Sequence, residues 1–236
     1  MSQVLTHLPS PATQGCRDTL PLLTGVIPFG MVYGALAQDA GLSAAATLGM
    51  SLIVFAGASQ FIAVSLLAAS VALPVILLTV FIVNLRHLLY STSLIPEVSA
   101  LPQRLRLLMA FCLNDETYAV VTRRIAAGET HSLPGYYLGS GATMYICWAL
   151  STFAGMQLGL QLPDISSWGL EVTMIVIFIG IVVPALKSRA QWGCAITATV
   201  SSLITASWPN QTGLMVSALL AIAVAALLDS EESENV

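Results

Sequence analysis

The chain has 236 residues, 56% of them apolar and only 8% charged, with a mean hydropathy of +0.84. That composition lies far from the average of a soluble domain and makes lipid the solvent for most of the chain. It contains no basic run or basic-aromatic face, which excludes nucleic acid as a partner, and its net charge of −4 reflects Asp229, Glu231, Glu232 and Glu234 at the C-terminus rather than a charged surface.

Cys16, Cys112, Cys147 and Cys194 form no C-x-x-C pair, and His7, His87 and His131 are scattered. Neither pattern supplies a metal site or asks for a cofactor. About 20 apolar residues cross a hydrocarbon core of about 30 Å, which predicts helices at 20–37, 47–69, 74–94, 105–122, 135–158, 169–186, 190–207 and 211–228. The fold class is therefore an all-α integral membrane protein, a polytopic helix bundle with broken helices. It has about eight membrane segments, or six crossings with two re-entrant segments. Connections such as Gln38-Asp39 and Gln161-Leu162-Pro163-Asp164 are too short for a linker, so 1–236 reads as one domain, flanked by cytoplasmic segments 1–18 and 229–236. No short-period repeat and no convincing inverted repeat is visible.

The first predicted helix ends in Ala35-Leu36-Ala37, which resembles a signal-peptidase site. The preceding apolar stretch is too long for a signal peptide and further hydrophobic segments follow, so it reads as an uncleaved membrane helix. Pro28-Phe29-Gly30 at its middle predicts a kink. Either Gly30 and Gly34 form a small-residue packing face, or the helix is broken there and its freed carbonyls line a cavity.

The second helix carries Phe55-Ala56-Gly57-Ala58-Ser59-Gln60-Phe61. Gln60 at mid-depth acts as interhelical glue, or marks a discontinuous helix or a substrate contact. The third helix starts at Pro74, and at 1.5 Å per residue Arg86 lies about 18 Å along it, past the midplane. Its side chain snorkels toward the interface or finds a partner. Asn84, His87 and Ser91 share one face while Arg86, Tyr90 and Ser93 share roughly the opposite one, so protein or water is expected on both sides. The fourth helix, the weakest apolar segment, holds Asn114-Asp115-Glu116-Thr117 in its middle. A charged residue at a helix centre costs about 2.5–3.5 kcal/mol, so Asp115 and Glu116 are expected to pair with Arg86, to take up a proton, or to lie in water on a re-entrant segment.

With eight crossings Arg17, Arg123, Arg124, Lys187 and Arg189 fall on one side, cytoplasmic by the positive-inside rule, and Arg104 and Arg106 fall outside. With 47–69 and 105–122 re-entrant, all seven flanking cations face inward. Both schemes leave the two termini cytoplasmic. In the second half Gly135/Gly139 and Gly155/Gly159 read as packing pairs. Glu171 lies at an interface, Gly180 and Pro184 mark another break, and the hydroxyls from Thr197 to Ser207 bond the preceding turn or line a pathway.

Taken in order, Thr19-Leu20-Pro21-Leu22, Ile27-Pro28-Phe29-Gly30, Phe55-Ala56-Gly57-Ala58-Ser59-Gln60-Phe61, Asn84-Leu85-Arg86-His87 and Asn114-Asp115-Glu116 resemble the AzlC-type branched-chain amino acid permeases, a family of bacterial inner-membrane exporters. The resemblance covers nearly the whole chain, with its specific motifs in residues 17–120. Asn114 stands where the family's acidic motif usually has threonine.

The resemblance implies efflux of small apolar amino acids such as valine, leucine and isoleucine, driven by protons, with a small AzlD-type membrane subunit as partner. The residues by themselves reach a multi-helix protein with polar groups buried midway, which marks a substrate or ion path. In an alternating-access transporter, Arg86 or the helix breaks at Gly57-Ala58-Ser59 would take the substrate carboxylate. Asp115 or Glu116 would hold the ammonium or the proton, and His87, with an ordinary pKa of about 6.5, would relay it. Asn84 and Gln60 complete the polar set, and Phe29, Phe55 and Phe61 supply an apolar wall. Two other classes stand beside this one. An intramembrane serine hydrolase would use Ser59 as nucleophile and His87 as base; a non-transporting structural or receptor subunit would need neither.

Overall fold

A computed structural model of the chain describes residues 10–159, 179, 183, 186–208 and 212–234. Apart from residues 179, 183 and 186, the predicted sixth helix, with Glu171, Gly180 and Pro184, and the connection at 161–164 lie outside the described residues. Among the described residues nine helices are delimited: α1 Pro11–Asp39, α2 Ala44–Ile53, α3 Gly57–Ala68, α4 Leu73–Val98, α5 Gln103–Phe111, α6 Asp115–Ala126, α7 Leu133–Gly159, α8 Arg189–Ile204 and α9 Thr212–Glu234. Of these, α1 and α4 are long and apolar enough to cross a membrane. The chain divides into two compact units, one built from residues 10–65 and 84–159 and the other from the remaining described residues.

In the first unit α1 lies along α7. The contact runs backbone to backbone: a Cβ on Gly15 would overlap the carbonyl oxygen of Tyr136, on Gly34 that of Thr152, on Gly139 that of Ala12 and on Gly155 that of Met31. Small residues at these turns let dispersion and polar contacts hold two helices together where lipid offers no hydrophobic drive. Buried hydroxyls add to the seam, as where Thr19 donates to Ser140 at 2.7 Å.

Helix α1 begins earlier than expected, and at its middle it takes one of the two expected forms. Ser10 caps it, its Oγ accepting the Thr13 N–H at 3.2 Å, and Pro11 occupies the first helical turn, where a missing N–H costs nothing. The helix therefore begins ahead of the predicted 20–37 and takes in residues 11–19. The helix then runs unbroken through Pro21 and Pro28, so of the two readings of Pro28-Phe29-Gly30 the broken helix is not formed, and Gly30 and Gly34 pack against Ser151 and Thr152 of α7.

The breaks lie elsewhere. Predicted helix 47–69 is two helices, α2 and α3, separated at Val54, Phe55 and Ala56. Val54 and Phe55 both donate their N–H groups to Met50 O, and Phe55 takes a left-handed φ of 46°, a conformation that a bulky side chain rarely adopts. A straight helix would separate Ser51 and Gln60 by about 13.5 Å of rise, yet Gln60 Nε2 donates to Ser51 Oγ at 3.0 Å. The chain turns at this point.

Predicted helix 105–122 is likewise two helices, α5 and α6, separated at Cys112, Leu113 and Asn114. Asn114 is extended and its Oδ1 accepts the Thr117 N–H at 2.7 Å, an N-cap that starts a new helix. Asp115 and Glu116 consequently occupy a first turn, where the helix dipole favours negative charge, instead of a helix centre. The order of helix lengths recurs: a helix of 29 residues followed by interrupted halves of 10 and 12, then one of 26 followed by halves of 9 and 12.

In the second unit, Ser188 and Gln191 form a capping box that opens α8. Hydroxyls along α8 bond the preceding turn, Thr199 to Ala195 O, Ser201 to Thr197 O and Thr205 to Ser201 O, while Thr205 and Ser217 of α9 share a hydrogen bond at 3.2 Å. Helix α9 extends to Glu234, so the acidic stretch expected as a tail continues the helix to that residue.

Candidate functional site

One short piece of α4 bonds to the second half of each interrupted helix. Ser59 Oγ in the first turn of α3 donates to Asn84 Oδ1 at 2.6 Å. Two residues on, and so on a different face of α4, Arg86 Nη1 lies 2.8 Å from Asp115 Oδ2 in the first turn of α6. Asp115 is held from its other oxygen as well, since Tyr90 O–H donates to Oδ1 at 2.7 Å. Tyr90 stacks on Tyr118 with ring centroids 4.3 Å apart, and Ser93 shares a hydrogen bond with the Tyr118 hydroxyl. Both polar sides of α4 thus meet protein. Between them Leu88 and Leu89 remain 61% and 62% exposed, an apolar strip suited to lipid.

The ion pair is mostly enclosed, with side-chain exposures of 22% for Arg86 and 16% for Asp115. Arg86 Nε and, one turn into α6, Thr117 Oγ1 are buried without a hydrogen-bond partner among the described residues. Buried polar atoms are normally satisfied, so each such atom requires an explanation. Glu116 is half-buried, next to the charges of Asp115 and Arg86. His87 is also half-buried, and its Nδ1 lies 3.2 Å from the Asn84 carbonyl oxygen of its own helix.

Helix α7 supports both breaks. At the first, Phe55 packs edge-on against Tyr145 at 5.1 Å, and Gly57 is so close to Trp148 and Phe29 that a Cβ would lie 3.0 and 3.1 Å from them. At the second, Phe111 lies 5.6 Å from the same Tyr145 ring and Cys112 presses on Gly141. Phe55 and Phe111 themselves stack at 6.3 Å, so the two interruptions meet on one stretch of α7.

The expected aromatic wall is divided. Phe29 and Phe61 stack at 4.4 Å, with Tyr33 and Trp148 around them. Phe55, at the left-handed position of the break, belongs to the separate cluster of Tyr145 and Phe111. Gln60 is fully buried, with its Oε1 accepting from Trp148 Nε1 and its Nε2 donating to Ser51, which bonds Thr152 in turn. Ser59 donates to Asn84 and not to His87, so the nucleophile–base pair of the hydrolase alternative is not formed.

Tyr90, Thr117, Tyr118, Tyr145 and Trp148 join the site only through the tertiary structure. Tyr90 had a legible signal, one helical turn beyond Arg86 on the same face; the α7 aromatics had none.

The sequence pattern described as AzlC protein matches residues 21–162. The chain belongs to the AzlC family. It is 31% identical to the inner membrane protein YgaZ of Escherichia coli over 155 residues, 64% of this chain and 63% of that protein. It is 33% identical over 75% of its length to an uncharacterized membrane protein of Archaeoglobus fulgidus, covering 76% of that relative. The branched-chain amino acid transport protein AzlC of Bacillus subtilis is 28% identical over 102 residues, 43% of this chain and 40% of that protein. No solved structure matches. This AzlC-family chain is thus a membrane protein by kinship as well as by composition. Asn84, Arg86, His87, Asp115 and Glu116 all lie within the family segment, whereas α8 and α9 follow it.

Proposed function

We propose that this chain exports small apolar amino acids, the branched-chain ones above all, across a bacterial inner membrane in exchange for protons. The kinship to a Bacillus subtilis protein named for branched-chain amino acid transport supports the substrate class. The observation that carries the mechanism is the Arg86–Asp115 pair at the N-terminus of an interrupted helix, with Arg86 Nε buried and unpartnered beside it.

While Asp115 is ionised it holds Arg86. A substrate inserted into the pair sets its carboxylate on Arg86 and its ammonium on Asp115, and a proton on Asp115 removes the charge that holds the ammonium, so proton and amino acid compete for one pair, as exchange requires. Glu116 and His87 stand next to it as proton relays. The first-turn N–H groups of α3 at Gly57, Ala58 and Ser59 offer a second anion site, positioned through Asn84, while Gln60 anchors the break. Phe29 and Phe61 form the apolar wall. We read the segments as eight, with α2–α3 and α5–α6 each one interrupted segment and both termini cytoplasmic, and we include a small AzlD-type subunit as partner.

The test is valine efflux from proteoliposomes of the purified chain, with and without the small subunit, under an imposed pH gradient. Asp115→Asn and Glu116→Gln should abolish or uncouple the proton dependence. Full proton-driven efflux in the double variant would overturn the mechanism, and no flux from wild type with its partner would overturn the function.

A further inference from the structure

A second polar site lies where α1 and α7 begin and α6 ends. A cavity of about 520 Å³ there is lined by three arginines, Arg17, Arg123 and Arg124, and two acids, Asp18 and Glu129. Arg124 is fully engaged. Its guanidinium sits 4.1 Å above the Tyr136 ring, its Nη1 donates to Gln14 Oε1 at 3.0 Å, its Nε donates to Glu129 O at 3.1 Å, and its Nη2 lies 3.5 Å from the Glu129 carboxylate. Asp18 accepts the Tyr136 hydroxyl at 2.7 Å. Glu129 is therefore matched by Arg124, and Asp18 is bonded by a neutral phenol.

Arg17 of α1 and Arg123 of α6 are left, exposed, lining one cavity, with no hydrogen-bond or ion-pair partner among the described residues. Two open guanidiniums on a platform fixed by Arg124 and Tyr136 suit a phosphate, whose oxygens accept the planar fork of donors. Depth favours a lipid as its source. Pro21 and Val120 form apolar parts of the same lining, and Leu20, three residues along α1 from Arg17, is 54% exposed. The cavity thus lies at the boundary between polar and apolar chain, the level of headgroup phosphates.

We propose that this cavity binds the phosphate of an anionic phospholipid, with Arg17 and Arg123 as its ligands. Basic pockets between membrane helices on the cytoplasmic side hold such headgroups, and the positive-inside rule assigns this arginine-rich end to that side. The site is separate from the Arg86–Asp115 pair and does not depend on the transport reading.

The experiment is native mass spectrometry of the full chain released from nanodiscs containing equal phosphatidylglycerol and phosphatidylcholine. Wild type should retain phosphatidylglycerol with a preference of about thirtyfold, the combined worth of two interfacial cations. Arg17→Gln/Arg123→Gln should lose that preference, Arg17→Lys/Arg123→Lys should keep part of it, and Arg104→Gln/Arg106→Gln should leave it intact. Circular dichroism of each variant separates lost binding from lost fold. Equal retention of the two lipids by wild type, or an unchanged preference in the glutamine variant, would overturn the site. Displacement of the retained lipid by millimolar inorganic phosphate would overturn the lipid assignment in favour of a free anion.

Discussion

Removing Asp115's charge tests whether α4 and α6 are coupled through the ion pair. Asp115→Asn keeps an oxygen to accept the Tyr90 hydroxyl but takes the counter-ion from an Arg86 guanidinium that is 22% exposed. A hydrogen bond to a charged group is worth about 1.5–3 kcal/mol, and breaking a fully buried pair costs about 3–5 kcal/mol. With both side chains slightly open to solvent, the loss should be about 2–3 kcal/mol, between those limits. Arg86→Gln should cost a similar amount, because Asp115 then keeps Tyr90 alone. The double variant leaves neither charge stranded, so its loss should fall short of the sum by about 1.5–3 kcal/mol. Unfolding of the four proteins in mixed micelles, followed by tryptophan fluorescence, measures this coupling. A coupling below about 0.5 kcal/mol, the usual additivity error, would show that the pair does not join the two helices.

Gly155→Ala should destabilise by about 1–3 kcal/mol, because its methyl group would overlap the Met31 carbonyl. Gly49→Ala meets nothing within 4 Å and should be neutral or stabilise by up to about 1 kcal/mol; thermal midpoints of the two variants decide. Asn114→Ala removes the cap of α6 and should cost about 1 kcal/mol, together with faster amide hydrogen exchange over residues 115–118. Ser59→Ala removes the bond to Asn84 and should cost about 1 kcal/mol. Wild-type Ser59 should also resist a fluorophosphonate probe, and labelling there would restore the hydrolase alternative.

The AzlC pattern was legible in order and spacing because its residues lie in short local runs, each within a few positions along the chain. Rotation along α4 was legible for the same reason. Helical periodicity alone separates Asn84 from Arg86 and aligns Arg86 with Tyr90, so two-sided contact followed before any partner was known. The Asn114-Asp115-Glu116 run carried an N-cap signature. Apolar content around it nevertheless read as one continuous span, because hydropathy averages over a window and does not register a three-residue turn.

Composition and periodicity by themselves determined that this chain is helical, lives in lipid, and must find partners for Arg86, Asp115 and Glu116, since a charge in hydrocarbon is too costly to leave alone. Only the tertiary structure decided which partners these are. Arg86 meets Asp115 and Ser59 meets Asn84 across 25 or more residues of chain, and such pairings depend on how helices pack, which no local pattern encodes. The recurring order of one long helix and two short ones was equally hidden, because it is carried by the lengths and interruptions of helices rather than by residue identities. Arg17 and Arg123 illustrate the same division: charge placement along the sequence predicts that they share a side of the membrane, but the cavity they line exists because α1 and α6 are both held against α7.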